Sequence, residues 1–464
     1  MTEVVETPQG RDDLQQIGVD ALCESSRFLL ADTVGIGKTF QGIKASRIVA
    51  YDHILWVTGA QPSFQVLDEC RTHAPGCTVK VARGTRQFRE AVYSDPPHYT
   101  IISYDALRSD IETLIRMPWK CVILDDANYF KTPDTKATIA ANRLCRDRPY
   151  AWALTGTPIQ TGLPDLWSVF HAIDLHPLGS LDDVYRNYCV WGWKHVGDKN
   201  ERAITGYRSL DRVKELIKPY MLRRTSVEGR PDLQIVDFRI GLYPRQAELY
   251  RQVVTSPADV LTRFRLSLQL CDSTAFLPRE RNPESSKLDF ILSYLKAREG
   301  KVVIYTMWLV PLRQLKDMLD RACIRYVEIS GDVPIPIRND NQKAFHRDPD
   351  VRVCLVTKAA ECALNLQAAQ TLICLNRLAN PKRMEQVYGR IRRIGSAFKT
   401  IYIVNLIIEG SVEERMLQLY DQREALSDGV LDDVPIKRLS VSDMAGLLAG
   451  DHVRVDRAVS VKGV

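Results

Sequence analysis

Short runs of consecutive apolar and β-branched residues recur along the chain, and between them apolar positions return every three or four residues. In the first half the runs are ILWVT (54–58), YTIIS (99–103), CVILD (121–125) and YAWAL (150–154). Amphipathic stretches such as DTKATIAANRLCR (134–146) lie between them. A short apolar run bounded by turn residues fits a strand buried on both faces, and the 3.6-residue spacing fits helices packed against it. The pattern resumes with KVVIYT (301–306), VRVCLVT (351–357), TLICL (371–375) and TIYIVNL (400–406). LVPLRQLKDMLDRA (309–322) and SVEERMLQLYDQREAL (411–426) read as helices beside them. The alternation predicts an α/β protein with two parallel-sheet units and helices on both faces of each. Their shared crevice is the expected ligand site.

The first unit is expected over 1–230 and the second over 231–430, with an insertion near 255–285 and a tail from 431 to 464. Between about 178 and 286 the alternation is lost. Segments such as VWGWKH and FLPRERNPESSK read there as surface insertions or a linker. In the tail the helical signal is SVSDMAGLLAG (440–450), with Ser442 placed as the N-cap.

Four segments carry candidate chemistry. LLADTVGIGKT (29–39) runs a strand into a glycine-rich turn and a helix. Backbone N–H groups and a helix N-terminus then converge on one point, which attracts phosphate. The loop residues Asp32, Thr33, Val34, Gly35, Ile36 and Gly37 would form the cradle. Lys38 would reach the β- and γ-phosphates, and the Thr39 hydroxyl would ligate Mg²⁺. The strict eight-residue pattern begins with glycine and this one with Asp32, so an ordinary strand-to-helix turn with a solvated lysine is the alternative. VILDDANYFK (122–131) ends a buried strand in two acids: Asp125 is placed to hold Mg²⁺ and Asp126 to orient the attacking water. LTGTPIQTGLPDLW (154–167) ends a strand in Thr155, Gly156 and Thr157, small groups that hydrogen-bond across a cleft without filling it. EQVYGRIRRIGS (385–396) is read as a helix that puts Arg390 and Arg393 on one face as i,i+3 neighbours. Arginines so placed stabilise charge on a transferring phosphoryl group. The segment 377–399 holds seven Lys or Arg against one Glu, which a solvated basic face would also explain.

Composition narrows the classes. With 464 residues, 45% hydrophobic and 26% charged, the chain is globular and long enough for two or three domains. A formal net charge of +6 permits a polyanionic partner without requiring one. Eleven cysteines, none in a C-x-x-C pair, argue against a zinc ribbon and a disulfide framework and fit a reducing compartment. MTEVVETPQGRDD at the start lacks the apolar stretch of a signal peptide. The longest apolar run, VVIYTMWLV (302–310), is too short to span a bilayer. A soluble intracellular protein is expected, cytoplasmic or nuclear, including a viral protein acting in its host.

Taken together and in this order, the motifs resemble the motor core of the switch/sucrose-non-fermenting ATPases, the chromatin-remodeller branch of helicase superfamily two. LQQIGVDAL (14–22) resembles the family's adenine-side motif, with Gln15 at the glutamine position. DTVGIGKT fits the family's phosphate loop, which often starts with aspartate. IISYDALRSD (101–110) is similar to the nucleic-acid-contacting segment of the first lobe, and DDAN (125–128) to the metal motif. LTGTPIQTGLPDLW is close to the third motif. YMLRRT (220–225) and DVLTRFRLSLQL (259–270) resemble connecting segments of this family. The stretch 363–395 matches its fifth and sixth motifs. The resemblance implies two RecA-like lobes that use ATP and Mg²⁺ to step along double-stranded DNA through phosphate contacts. Lys38, Asp125, Asp126, Arg390 and Arg393 are then the catalytic set.

Three differences from the family pattern stand out. The glutamate that usually follows the metal aspartate is Asp126, and the histidine two positions later is Asn128. Glycines of the fifth motif are replaced by Ala360, Glu361 and Ala363. These changes predict slower turnover and a weaker hold on DNA, Glu361 by repelling phosphate. A strand-separating or branch-migrating helicase is an alternative with the same motifs. So is a decayed ATPase serving as a nucleotide-binding clamp. The absence of a recognisable bromodomain, chromodomain or zinc module favours a viral or prokaryotic stand-alone motor.

Overall fold

The apolar runs fold as parallel strands in two sheets, one in each of two compact units that divide between Arg230 and Pro231. The computed structural model describes residues 11–33, 35–159, 162–196, 199–224, 230–277, 280–357, 364–377, 381–393, 396–425, 441–449 and 453–456. In the first unit the strands are β1 (Arg27–Leu30), β2 (Ile54–Thr58), β3 (Val79–Val81), β4 (Tyr99–Ser103), β5 (Cys121–Asp125) and β6 (Tyr150–Leu154). The two-stranded sheet of β7 (Cys189–Val196) and β8 (Lys199–Tyr207) follows, and then β9 (Met221–Leu222). The main sheet has the order β3-β4-β2-β5-β6-β1-β9, and its pairings are parallel.

Both faces of this sheet are covered, which is why its strands read as unbroken apolar runs. Along β5, Val122 and Leu124 enter one apolar cluster while Cys121 and Ile123 enter the other. The helix Lys136–Cys145 shows how the sequence builds the cover. Thr135 caps it by accepting from the Thr138 N–H, and Ala137, Ala140, Ala141 and Leu144 form its core-facing stripe.

The second unit contains β10 (Asp232–Ile240), β11 (Val302–Tyr305), β12 (Tyr326–Ile329), β13 (Val353–Val356), β14 (Thr371–Cys374) and β15 (Thr400–Ile408). Their order is β10-β15-β14-β11-β13-β12, again with parallel pairings. Val302 and Ile304 face one cluster, Val303 and Tyr305 the other.

The stretch 178–286 is more regular than its sequence implies. It holds the β7–β8 sheet and the helices Leu181–Tyr188, Leu210–Ile217, Pro244–Val254 and Val260–Asp272. The last of these places Phe264, Leu270 and Cys271 in the second unit's core. Near the C-terminus a helix spans Val441–Leu448, so Ser442 lies inside its first turn and is not the N-cap. Leu447 and Leu448 pack into the second unit's core, and Val455 bridges to Leu242.

Candidate nucleotide site

Because the strands of the first sheet run parallel, their C-terminal ends share one edge, where ligands of such sheets bind. The register sets this edge closely. Leu30 of β1 and Asp125 of β5 both stand opposite Leu154 of β6. The glycine loop, the acidic strand end and the Thr155 turn therefore begin at one level.

The loop after β1 leads into the helix Lys38–Val49. Gly35 and Gly37 have φ of 98° and 93°, in the left-handed region that glycine adopts without strain. A Cβ on Gly37 would also stand 2.5 Å from Nε2 of Gln15. That nitrogen donates to the Ile36 carbonyl at 2.9 Å, so the buried Gln15 holds the loop from behind. Lys38 Nζ donates to the carbonyls of Asp32 at 2.7 Å and Thr33 at 3.3 Å, which keeps the ammonium over the loop. Thr39 follows in the first helical turn. Val34 lies outside the described residues.

Asp32 serves the loop's architecture. Its carboxylate is fully buried and is gripped by Arg224, whose backbone N–H donates to Oδ1 at 2.9 Å and whose Nε donates to the same oxygen at 3.0 Å. Arg224 Nη2 closes the fork on Oδ2 and also donates to Gln41 Oε1 at 3.2 Å. The Ala31 and Thr33 N–H groups donate to the carbonyls of Leu222 and Arg224. A negative charge at the mouth of a phosphate cradle is thereby neutralised within the protein. Nothing in YMLRRT marks Arg224 for this part, because its partner is 192 residues away in sequence.

At the end of β5 the two acids differ. Asp125 accepts from Trp56 Nε1 at 3.2 Å and from the Asp126 N–H at 3.0 Å. Burial first, and the charge of Asp126 second, push its carboxyl up to about 7, while Trp56 and Lys38 act against them. A cation beside Asp125 would relieve that penalty. The donors fit Mg²⁺, a hard ion held by one or two carboxylates with phosphate and water. Among the described residues no group of three or more His, Cys, Asp or Glu could hold a metal. Asp125 and Thr39 are the residues that would hold the ion.

Asp126 sits at φ 51° and ψ 48°, a left-handed conformation rare outside glycine, asparagine and aspartate. Its carbonyl accepts from the Tyr129 N–H at 3.0 Å, starting the short helix Ala127–Phe130 that carries Asn128. Beyond β6, the Thr157 N–H donates to Thr155 Oγ1 at 3.1 Å, and both threonines are buried. The segment that follows is anchored by β8: the Leu163 N–H donates to the Tyr207 hydroxyl, and a Cβ on Gly162 would stand 2.0 Å from that oxygen.

In the second unit the arginines are arranged differently from expectation. The helix Pro381–Tyr388 ends just before Gly389, so Arg390 and Arg393 lie in the turns beyond it and do not share a helical face. The Arg390 N–H donates to Val387 O at 3.1 Å in the first of these turns. Arg390 is buried, and Arg393 Nη2 donates to Leu364 O at 2.6 Å. Arg392, between them, donates to Pro231 O at 2.7 Å. Ala360, Glu361 and Ala363 lie outside the described residues.

The strand end preceding this segment is pinned by a buried charge. Lys287 Nζ, with no exposed side-chain surface, donates to Asp272 Oδ1 at 3.0 Å, Glu413 Oε1 at 2.8 Å and the Leu375 carbonyl at 2.6 Å. Burial alone would pull Lys287 down, yet the two carboxylates hold it above the ordinary lysine value. Asn376 Nδ2 completes the network on Asp272 Oδ2 at 2.7 Å. Lys287→Ala leaves two carboxylates buried without their cation, and the expected cost is about 3–5 kcal/mol in the second unit's denaturant unfolding. A loss below about 1 kcal/mol, the range of exposed pairs, would show that the network contributes little.

A strand, a loop with two left-handed glycines, a helix opening on Lys38 and Thr39, and an acid-ended strand level with them is the arrangement of phosphate-loop proteins. The chain belongs to the SNF2-related domain family, whose pattern matches residues 15–277, and the helicase conserved C-terminal domain matches residues 286–395. It is 27% identical over 439 residues to the putative ATP-dependent helicase/translocase YwqA of Bacillus subtilis (strain 168), covering 87% of this chain and 46% of that protein. It is 24% identical over 440 residues to the CHD3-type chromatin-remodeling factor CHR7 of Arabidopsis thaliana, covering 85% and 35%. The chain thus spans less than half the length of these curated relatives. A solved SWI2/SNF2 ATPase core of Sulfolobus solfataricus in complex with dsDNA aligns at 22% identity and a TM-score of 0.43, over 89% of this chain and 91% of that one. Among the described residues no helix is long and apolar enough to cross a membrane.

Proposed function

We propose that the chain is a Mg²⁺-dependent ATP hydrolase whose turnover drives movement along duplex DNA. The observation that carries this reading is the single level at which the Lys38 loop and the Asp125–Asp126 strand end emerge from the sheet. Such a site meets both ends of a nucleoside triphosphate's reactive chemistry: amide groups and an ammonium for the phosphates, carboxylates for the metal and the attacking water. Arg390 and Arg393 of the second unit are proposed as further positive charge for the transition state. Family membership supports ATP as the nucleotide, and Gln15 remains the candidate for its adenine side.

Duplex DNA is the proposed track, engaged mainly through its phosphates. The basic segment 377–399 offers charge and no evident groove-reading element. The expected result is ATP hydrolysis stimulated most by fully paired DNA, with little dependence on sequence. A triplex-displacement assay then shows third-strand release that requires ATP. Binding weakens steeply with salt, each neutralised phosphate adding about −0.9 to the log–log slope. Parallel ATPase assays with no nucleic acid, single-stranded, duplex and forked DNA, and RNA test the reading. Stimulation by forks alone, with unwinding and no third-strand release, would replace it with a strand-separating helicase.

A further inference from the structure

Among the described residues the Asp125–Asp126 turn is held from outside at its carboxylate by Trp56 and at its backbone by Tyr104. Tyr104 opens the helix Tyr104–Leu114, which Ser103 caps by accepting from the Ala106 N–H at 3.1 Å. In the sheet order β4-β2-β5, the end of β4 is separated from the end of β5 by a whole strand. Two strand spacings are about 9.5 Å, a gap that takes a long side chain to cross. Tyr104 crosses it. Its hydroxyl donates to the Asp125 carbonyl and, at 3.3 Å, to the Asp126 carbonyl. Where β2 ends, Gly59 adds no side chain, and a Cβ there would stand 3.9 Å from the Tyr104 ring. The ring stacks on Tyr129 at 4.0 Å with an interplanar angle of 11°, and meets Phe130 edge-on at 5.6 Å.

Two hydrogen bonds of this turn, from the Asp126 N–H to Asp125 Oδ1 and from the Tyr129 N–H to the Asp126 carbonyl, are made within it, and Trp56 holds the Asp125 side chain from β2. Tyr104 ties the turn's two backbone carbonyls to the end of β4, and it belongs to the segment 101–110 rather than to the phosphate loop. A left-handed aspartate persists only where its surroundings hold it.

We propose that Tyr104 is a positioning residue for hydrolysis, fixing through its hydroxyl the backbone on which Asp125 and Asp126 are mounted and linking that backbone to the 101–110 segment. The inference rests on the proposed ATPase reading. Tyr104→Phe keeps the ring and its stack and removes the hydroxyl with its bond to the two carbonyls. A net loss near that of one hydrogen bond, misaligning a catalytic carboxylate, lowers duplex-stimulated kcat about tenfold. KM for ATP and duplex affinity stay within about twofold, because the cradle of phosphate contacts is untouched. A purely structural role would instead lower the melting temperature and leave kcat of the folded fraction alone. Tyr129→Leu removes the stack and leaves the hydroxyl, and a loss of about threefold in the same kcat is expected from a less well-fixed ring. It carries the test if Tyr104→Phe does not fold. Stimulated kcat at the wild-type level in the folded variant overturns the assignment. Lys38→Ala is run beside it. An inactive Lys38→Ala with a fully active Tyr104→Phe removes only the Tyr104 role, whereas an active Lys38→Ala removes the ATPase reading and this inference with it.

Discussion

Lys38→Ala is expected to leave the protein folded and to abolish ATP hydrolysis. The two effects separate because the ammonium contributes little to the core. Its hydrogen bonds to the carbonyls of Asp32 and Thr33, at 2.7 and 3.3 Å, lie at the loop and not in the core. Two hydrogen bonds of this kind contribute about 1–3 kcal/mol to stability. The first unit is held by a sheet covered on both faces, and its loop is braced independently by Gln15 and by the Asp32–Arg224 fork. The rate effect is of another order. A positive charge aimed at transferring phosphate oxygens in a partly enclosed site is worth at least about 10²–10³ in kcat, the range for losing a single transition-state donor. Phosphate release measured alongside circular dichroism and thermal melting separates catalysis from folding. An unchanged kcat in a folded Lys38→Ala protein would remove the phosphate-loop assignment.

The fold was legible where burial is two-sided. A strand covered on both faces must be apolar at every position, and ILWVT, CVILD and YAWAL show this with no tertiary information. The stretch 178–286 hid its elements because β7 and β8 form a two-stranded sheet outside the main one and carry mixed polarity. A local signal was present in Gly197-Asp198, a dipeptide type that reads as a turn between two strand-like runs, although it lies outside the described residues. The arginine pair differs for a local reason as well. The helix ends at Tyr388, one turn short of the 3.6-residue periodicity that would put Arg390 and Arg393 on one face.

The candidate site was legible in the residues proposed to meet a ligand and hidden in those that support them. Lys38, Thr39 and Asp125 are candidates by type and spacing. Asp32 matched the family's loop and so was placed in the cradle, but its work depends on Arg224 arriving from the far end of the unit. Trp56 reads as core in ILWVT, yet its Nε1 donates a hydrogen bond to Asp125. Tyr104 lay in a motif noted for nucleic acid, and only the strand order shows that it reaches β5. Each of these three contacts is set by sheet topology, which single-sequence periodicity does not contain.

Asp126→Asn is expected to lower kcat by about 10²–10⁴, the range for losing a general base. The substitution is nearly isosteric, and asparagine tolerates the left-handed backbone at φ 51° as aspartate does, so the turn keeps its shape. What changes is charge, and the change reaches Asp125. The Asp126 carboxylate is, after burial, the second cause that raises the Asp125 carboxyl to about 7. Its removal brings Asp125 back toward the ordinary carboxylate range, so Asp125 stays ionised to lower pH. The Mg²⁺ concentration for half-maximal activity at pH 6–7 should therefore fall or hold steady while kcat collapses. Asp125→Asn should do the reverse and raise the Mg²⁺ requirement, because it removes the oxygen donor proposed for the metal. Asp126→Glu restores the family's longer reach and is expected to match or exceed the parent rate. Mg²⁺ titrations of steady-state hydrolysis at several pH values distinguish the two carboxylates. A wild-type rate in Asp126→Asn would place the orientation of water on another residue. A sharply increased Mg²⁺ requirement in that variant would make Asp126 a metal ligand instead of the group that orients the attacking water.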